Sequence, residues 1–258
     1  MLTSYRPQGP KNRLSISVVR ENYLKARTSS EQCLMGKTFV LTTLFSVGYL
    51  CLALACLINW GAPAPWSRIG FFAWGYITLR FLGTVHSLYS GRAAFRSQPL
   101  RREWWALTSE GGKPRWVALL MLLDLTVFLD YGHWHLLPAL EHPTLEGLGL
   151  GLYFGVAVWQ VWTDEYLARH FSQQQSKLLP MENGPYRYIR HPRYAAAIAG
   201  KIAVGLVFTS ILAWPLAMAW AFMLIRKVGI EEVHLRTVFG AEYEAYAHRT
   251  AKLLPGVW

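Results

Sequence analysis

Thr38-Phe-Val-Leu-Thr-Thr-Leu-Phe-Ser-Val-Gly-Tyr-Leu-Cys-Leu-Ala-Leu-Ala-Cys-Leu-Ile-Asn59 runs for 22 residues without an Asp, Glu, Lys or Arg. Wound as an α-helix at about 1.5 Å per residue, such a stretch matches a bilayer core roughly 30 Å thick. It is longer than a signal-peptide core and begins well after Met1, so it is expected to remain in the mature chain as a membrane span. The composition agrees: of 258 residues, 53% are hydrophobic and only 16% charged, which is apolar for a soluble protein of this size.

Further apolar stretches follow, each interrupted by ionisable groups. Ile69–Leu88 contains Arg80 and His86, Trp116–Leu137 contains Asp124 and Asp130, and Gly147–Phe171 ends on Asp164 and Glu165. Charges at such depth are costly in lipid, so these side chains are expected to face the bundle interior, a cavity or a partner. Ala195–Ile225, broken by Lys201 and Pro215, is too long for one perpendicular helix and too short for two full spans. A helical hairpin turning near Ser210–Pro215 resolves its length, because proline sits without penalty in a first turn.

The distribution of Lys and Arg sets the orientation. Residues 1–37 hold seven, 89–115 six, 163–193 five and 226–258 five, while the connections 60–67 and 138–146 hold none. This alternation puts both termini and the loops 89–115 and 163–193 in the cytoplasm. The fold expected is therefore all-α: a multi-pass bundle of five to six membrane segments, the last two a helical hairpin, with a cytoplasmic C-terminal region. Three regions follow: a basic N-terminal segment 1–36, helices over 37–145, and a C-terminal part over 146–258 that contains the hairpin. The net charge of +11 is explained by topology and by attraction to anionic lipid headgroups. With basic residues spread over four membrane-facing segments and no base-reading motif, nucleic acid is not an expected partner.

Other patterns carry less. Cys33, Cys51 and Cys56 lack metal-ligand or disulfide spacing and read as reduced core residues. Residues 18–26 are compatible with an interfacial helix or with disorder. Gly147, Gly151 and Gly155 share a helix face and read as a close-packing stripe rather than a nucleotide loop. His133, His135 and His142 lack regular spacing and read as interfacial histidines beside Trp134, with no metal expected.

The C-terminal third carries the chemistry. Leu-Pro-Met-Glu-Asn-Gly-Pro-Tyr-Arg-Tyr-Ile-Arg-His-Pro-Arg-Tyr194 directly precedes the hairpin, and Ile225-Arg-Lys-Val-Gly-Ile-Glu-Glu232 directly follows it. A hairpin brings its ends together, so Tyr186, Arg190, His191 and Tyr194 are expected to meet Glu231 and Glu232 at one cytoplasmic mouth. Such a set offers a guanidinium fork, carboxylates for a cation or proton, aromatic faces and a titratable histidine. Arg187 and Arg193 read instead as headgroup anchors.

The order Gly184-Pro-Tyr-Arg-Tyr-Ile-Arg-His-Pro-Arg-Tyr194, Glu231-Glu232, Phe239-Gly240, Tyr243, Tyr246 and Leu254-Pro-Gly256 resembles the isoprenylcysteine carboxyl methyltransferase family. That family's wider superfamily of integral membrane methyltransferases includes phospholipid methyltransferases. Leu167-Ala-Arg-His-Phe-Ser172 resembles its lead-in to the cofactor loop, and the likeness covers roughly 150–258; Ala196 stands where the family often has glycine. The resemblance implies a cytoplasmic pocket for S-adenosyl-L-methionine, open toward the bilayer for a lipophilic acceptor such as a prenylcysteine-like carboxylate or a lipid. It implies Tyr186, Arg190, His191, Pro192, Tyr194 and Glu231 as cofactor-binding residues, and Glu232 or Arg226 for acceptor positioning in the reaction. Methyl transfer needs mainly alignment of donor and acceptor; an amine or thiol acceptor would add a base, for which His191 or Glu232 could serve. A nicotinamide-dependent membrane reductase of the sterol reductase type shares a similar Arg-His-Pro and Leu-Leu-Pro-Gly ending. A non-catalytic binding or transport module, with Arg80, Asp124 and Asp130 as an ion path, lacks the inverted repeat such a path favours. The acceptor's identity and the oligomeric state are left open by the sequence.

Overall fold

A computed structural model describes residues 44, 46–58, 69–95, 114–173 and 183–254. The N-terminal segment 1–36, with residues 18–26 and Cys33, lies outside the described residues, as does most of the loop 89–115. Among the described residues the fold is all-helical. Seven α-helices follow in order: α1 Ser46–Leu57, α2 Phe71–Phe95, α3 Pro114–Leu129, α4 Pro143–Gln173, α5 Pro192–Val207, α6 Ala213–Phe239 and α7 Ala241–Arg249. A π-turn, Asp130–Trp134, ends α3, and a short 3-10 turn, Gly184–Arg187, precedes α5.

The hairpin forms where the length of the apolar run requires it. α5 stops at Val207, the chain reverses through Phe208–Leu212, and α6 starts at Ala213 with Pro215 in its first turn. At 16 residues α5 is about 24 Å long, whereas α6 at 27 residues is about 40 Å and outruns it. The excess is the polar end that carries Glu231 and Glu232.

Phe208, in that reversal, is the centre of the aromatic packing. Its ring meets Tyr76 at 5.1 Å, Phe128 at 4.9 Å and Tyr131 at 5.3 Å, each edge to face, the geometry that aromatic quadrupoles favour. Around it Ala53, Leu57, Ala73, Ile77, Val127, Val207 and Ala213 close a core to which α1, α2, α3 and the hairpin all contribute. α4 packs along α5, and the approach is tightest at Gly149. A Cβ there would stand 2.5 Å from the backbone nitrogen of Val207 and 2.8 Å from a neighbouring backbone carbon. This corrects the glycine stripe expected from sequence: Gly151 and Gly155 have open space where a Cβ would go, and Gly147 has only an ordinary contact with Phe72. The close approach uses the glycine between them in sequence, on another face.

The interior charges pair across helices. Lys201 of α5 donates to Asp124 of α3, and the Trp220 indole of α6 donates to both Asp124 oxygens at 3.2 Å. Ser210 in the reversal donates to Asp130, whose other oxygen accepts the amide of Leu136 at 2.9 Å. Outside, large apolar side chains are exposed along several helices, among them Phe71, Phe81 and Leu82 on α2, Leu148, Phe154 and Trp162 on α4, and Met218 and Phe222 on α6. Exposed apolar surface of this extent suits lipid rather than water. Among the described residues, α6 (over Ala213–Thr237) is the helix long and apolar enough to cross a membrane by length and composition. The described part of Thr38–Asn59 is residue 44, α1 and residue 58.

Candidate functional site

Gly184-Pro185 sets the entrance to the site. Gly184 takes φ +61°, and a Cβ there would meet the Tyr166 ring at 2.6 Å, so backbone and packing both demand glycine. Pro185 then opens the 3-10 turn and Tyr186 is buried, its ring 6.2 Å from Tyr166. Burial pushes the Tyr186 hydroxyl well above its ordinary pKa. The Tyr246 hydroxyl of α7 donates to the Tyr186 carbonyl at 2.8 Å.

The chain that leaves α7 comes back to this loop. Ile189 and Ala251 form a parallel β-bridge, the Arg190 amide donates to the Ala251 carbonyl at 2.8 Å, and the His191 amide donates to Lys252 at 3.2 Å. His191 is the residue on which α5 starts, with Pro192 in the first turn and the Pro192 carbonyl accepting from the Trp159 indole at 3.3 Å. The result is a rigid shelf holding residues 186–194 above the hairpin.

Glu232 is the hub under that shelf. It accepts from Arg190 Nε at 2.9 Å and lies 3.3 Å from His191 Nε2, 3.5 Å from Lys252 Nζ and 3.9 Å from Arg236 Nη2. Arg190 Nη1 donates in turn to the carbonyl of Ala247, at 2.6 Å, and to that of Thr250. Glu231, one residue earlier, accepts from the Tyr194 hydroxyl and keeps its second oxygen 3.7 Å from His191 Nδ1. The imidazole of His191 therefore stands between the two carboxylates, and all three residues are buried. Lys227 lies over the Tyr194 ring at 5.7 Å.

The structure thus brings together Tyr186, Arg190, His191, Pro192, Tyr194, Glu231 and Glu232. It does not bring Arg226 to them: that side chain is exposed and stacks on Phe222 at 5.6 Å. Arg193 pairs with Asp164 of α4 at 3.0 Å, and Arg187 is exposed. Lys252 and the Ala247 and Thr250 carbonyls were missed by sequence reasoning, since only the docking of α7 and the return of the chain after it place them. Tyr243 is a further member. Its hydroxyl is buried without a hydrogen-bond partner, and burial, reinforced by the charge of Glu232, raises its pKa.

The chemistry follows from which groups are already used. Glu232 and two nitrogens of Arg190 are committed to the protein and serve to hold His191 and the shelf in place. Glu231, with one oxygen at a loose 3.7 Å, Tyr194 and the unmatched Tyr243 hydroxyl are the groups left to meet a ligand. A carboxylate flanked by aromatic rings suits a cation, and a buried unmatched hydroxyl suits a polar partner brought in by that ligand. Elsewhere, His135 Nδ1 pairs with Glu141 at 2.6 Å, and among the described residues no three His, Cys, Asp or Glu side chains are grouped to hold a metal. An apolar groove of about 600 Å³ between α2 and α4 is lined by none of the cluster residues.

Comparison with curated proteins gives no match. The model of the family described as phospholipid methyltransferase matches residues 148–242, from the start of α4 to the start of α7. All of the clustered residues from Tyr186 to Glu232 fall inside that match. Over residues 148–242 the chain is therefore similar to the phospholipid methyltransferase family, in agreement with the resemblance to the superfamily of integral membrane methyltransferases read from the His-Pro motif.

Proposed function

We propose that the protein is a multi-pass membrane enzyme that transfers a methyl group from S-adenosyl-L-methionine to a lipophilic or membrane-associated acceptor, a lipid or a prenylcysteine-like carboxylate. The observation that carries this reading is His191 held between Glu231 and Glu232 where the two ends of an apolar hairpin meet, inside the stretch that matches a membrane methyltransferase family. The family match does not favour the nicotinamide reductase or the transport module.

The residues present fit such a donor. When bound, it supplies an electrophilic methyl group on a sulfonium, a cation with polar ribose, ammonium and carboxylate groups. Glu231 would hold the positive part, with Tyr194 and Tyr186 offering it aromatic surface. The Tyr243 hydroxyl, unmatched in the protein, offers one hydrogen bond to a polar group. His191, fixed from both sides, orients rather than diffuses, and the buried shelf excludes water from one side of the site. Glu232 acts through Arg190 and His191 and is a positioning residue. A carboxylate acceptor needs no base; for an amine acceptor His191 stands closest to a proton-accepting role. Residues 146–258 form the methyltransferase core in this reading and 37–145 the acceptor side, with both termini cytoplasmic.

Calorimetric titration of the detergent-purified protein with S-adenosylmethionine, S-adenosylhomocysteine and NADPH tests it. Saturable binding of both adenosyl compounds, weakened about tenfold or more by Glu231→Gln as expected for loss of a charged contact, supports the reading. Binding of NADPH alone, or no heat from either adenosyl compound in a protein that melts cooperatively, overturns it.

A further inference from the structure

The apolar groove between α2 and α4 is left unused by the site just described. Trp74, Gly75 and Thr78 of α2 line one side of it, and Leu150, Gly151 and Phe154 of α4 the other. Its volume of about 600 Å³ falls within the roughly 300–1,000 Å³ usual for a ligand site. The two helices touch at its floor, where a Cβ on Gly75 would stand 2.8 Å from Leu150 Cδ2. At Gly151 an added Cβ would meet nothing within 4 Å, so the space there is open. Thr78 commits its hydroxyl to the Trp74 carbonyl at 2.9 Å, which leaves the lining apolar.

One end of the groove is polar. A Cβ on Gly70 would stand 3.7 Å from Glu146 Oε2 and 2.8 Å from the Tyr131 hydroxyl, which accepts the Gly70 amide at 3.3 Å. Gly70 directly precedes α2, and Glu146 lies one turn before Leu150 on the same face of α4, so its carboxylate stands at the mouth of the groove. Neighbouring Glu141 is paired with His135 at 2.6 Å, but among the described residues no cation lies at ion-pair distance from Glu146. A carboxylate beside exposed apolar side chains such as Phe71 and Leu148 is costly unless a cation meets it. The mouth is remote from the donor site. Tyr166, against which Gly184 packs, lies about 20 residues further along α4, or about 30 Å, the thickness of a bilayer core.

We infer that the groove between α2 and α4 binds a membrane amphiphile with an ammonium headgroup, its hydrocarbon chain lying over Gly151 between Trp74 and Phe154 and its headgroup on Glu146. The groove itself would accept any apolar chain; the charge at its mouth selects the head. An ammonium donates charge-assisted hydrogen bonds to Glu146. A neutral head leaves the carboxylate unmet, and an anionic one is repelled by Glu146 and Glu141 together. Held about 30 Å of helix away from the donor site, this amphiphile occupies the opposite half of the bilayer and is not the methyl acceptor. The inference rests on the membrane placement of α2 and α4 and not on methyl transfer, so its failure would leave the donor-binding site untouched.

Native mass spectrometry of the full chain released from detergent micelles tests it, with octadecylamine, octadecanol and stearate as probes that share a chain length and differ in the head. Octadecylamine is expected to bind the wild type about tenfold or more tightly than the other two, and about tenfold or more tightly than it binds Glu146→Gln. Gly151→Leu, which puts a side chain into the open space, should weaken it by a similar factor. Glu242→Gln, which removes an exposed carboxylate from α7, should leave it unchanged. Octadecanol binding as tightly as octadecylamine, or octadecylamine binding wild type and Glu146→Gln equally, overturns the inference. Undiminished binding by Gly151→Leu overturns it too, as does a wild-type dimer that Gly151→Leu splits, which would assign the groove to a second copy of the chain. Should Glu146→Gln fail to melt cooperatively, the headgroup comparison in the wild type and the Gly151→Leu variant decide without it.

Discussion

Glu232 and Glu231 are adjacent carboxylates with opposite tasks, and the contrast is measurable. Glu232 is 3% exposed and binds Arg190, His191 and Lys252 at once. Glu232→Ala leaves a buried guanidinium without its counter-charge, and should cost about 3 kcal/mol of stability, seen as a lower melting temperature in detergent. Glu231→Gln keeps a hydrogen-bond acceptor for Tyr194 and should melt within about 1 kcal/mol of wild type while losing donor binding. If the two variants melted alike, the division of labour would be wrong. Tyr243 gives a second test. Its unmatched hydroxyl is a burden in the free protein, so Tyr243→Phe should leave stability unchanged or raise it by up to about 1 kcal/mol, and should weaken donor binding. A variant that is less stable yet binds normally would show the hydroxyl to be part of the packing instead. Of this cluster, the residues inside the His-Pro motif and the paired glutamates were legible in sequence, because residue type and order announce them. Lys252 and Tyr243 were not legible as partners, since their place depends on a β-bridge between Ile189 and Ala251, 62 positions apart, that leaves no periodic trace.

Among elements, the hairpin is the clearest case of sequence dictating form: an apolar run of awkward length with Pro215 near its middle reversed at Phe208–Leu212, close to the expected place. The face on which α4 packs was not legible, because three glycines at four-residue spacing outnumber the single Gly149 that makes the contact. What ties the hairpin to α3 is polar. Lys201 and Trp220, one from each arm, converge on Asp124. Removing one partner of a buried pair strands the other, whereas replacing both with apolar groups of similar size removes the desolvation cost along with the attraction. Asp124→Asn alone should therefore destabilise by about 3 kcal/mol, and Asp124→Leu combined with Lys201→Met should recover most of that loss. Thermal melts of Asp124→Leu, of Lys201→Met and of the double variant form a mutant cycle with a coupling energy well above about 1 kcal/mol. A coupling near zero would mean the pair is solvated and does not clamp the hairpin.

At the scale of the whole molecule, α6 joins the two halves of the functional reading. Its first half is apolar and packs in the bundle; its last turns carry Glu231, Glu232 and Arg236 and lead directly into α7. If the apolar half lies in lipid, the site stands at the membrane surface on the side reached by α7, and the connection before α4 stands on the other. The charge count made the same division, with five Lys and Arg in 226–258 and none in 138–146. Single cysteines introduced at Glu242 and at Ala139, in a chain whose Cys33, Cys51 and Cys56 are replaced by alanine, put this to the test. A membrane-impermeant maleimide should label the cysteine at 242 in inside-out vesicles and the cysteine at 139 in right-side-out vesicles. Labelling of both positions from one side would break the multi-pass arrangement. It would also remove the reason for the site to open toward lipid, because helices α3, α4 and the hairpin would then have to lie on the membrane rather than across it.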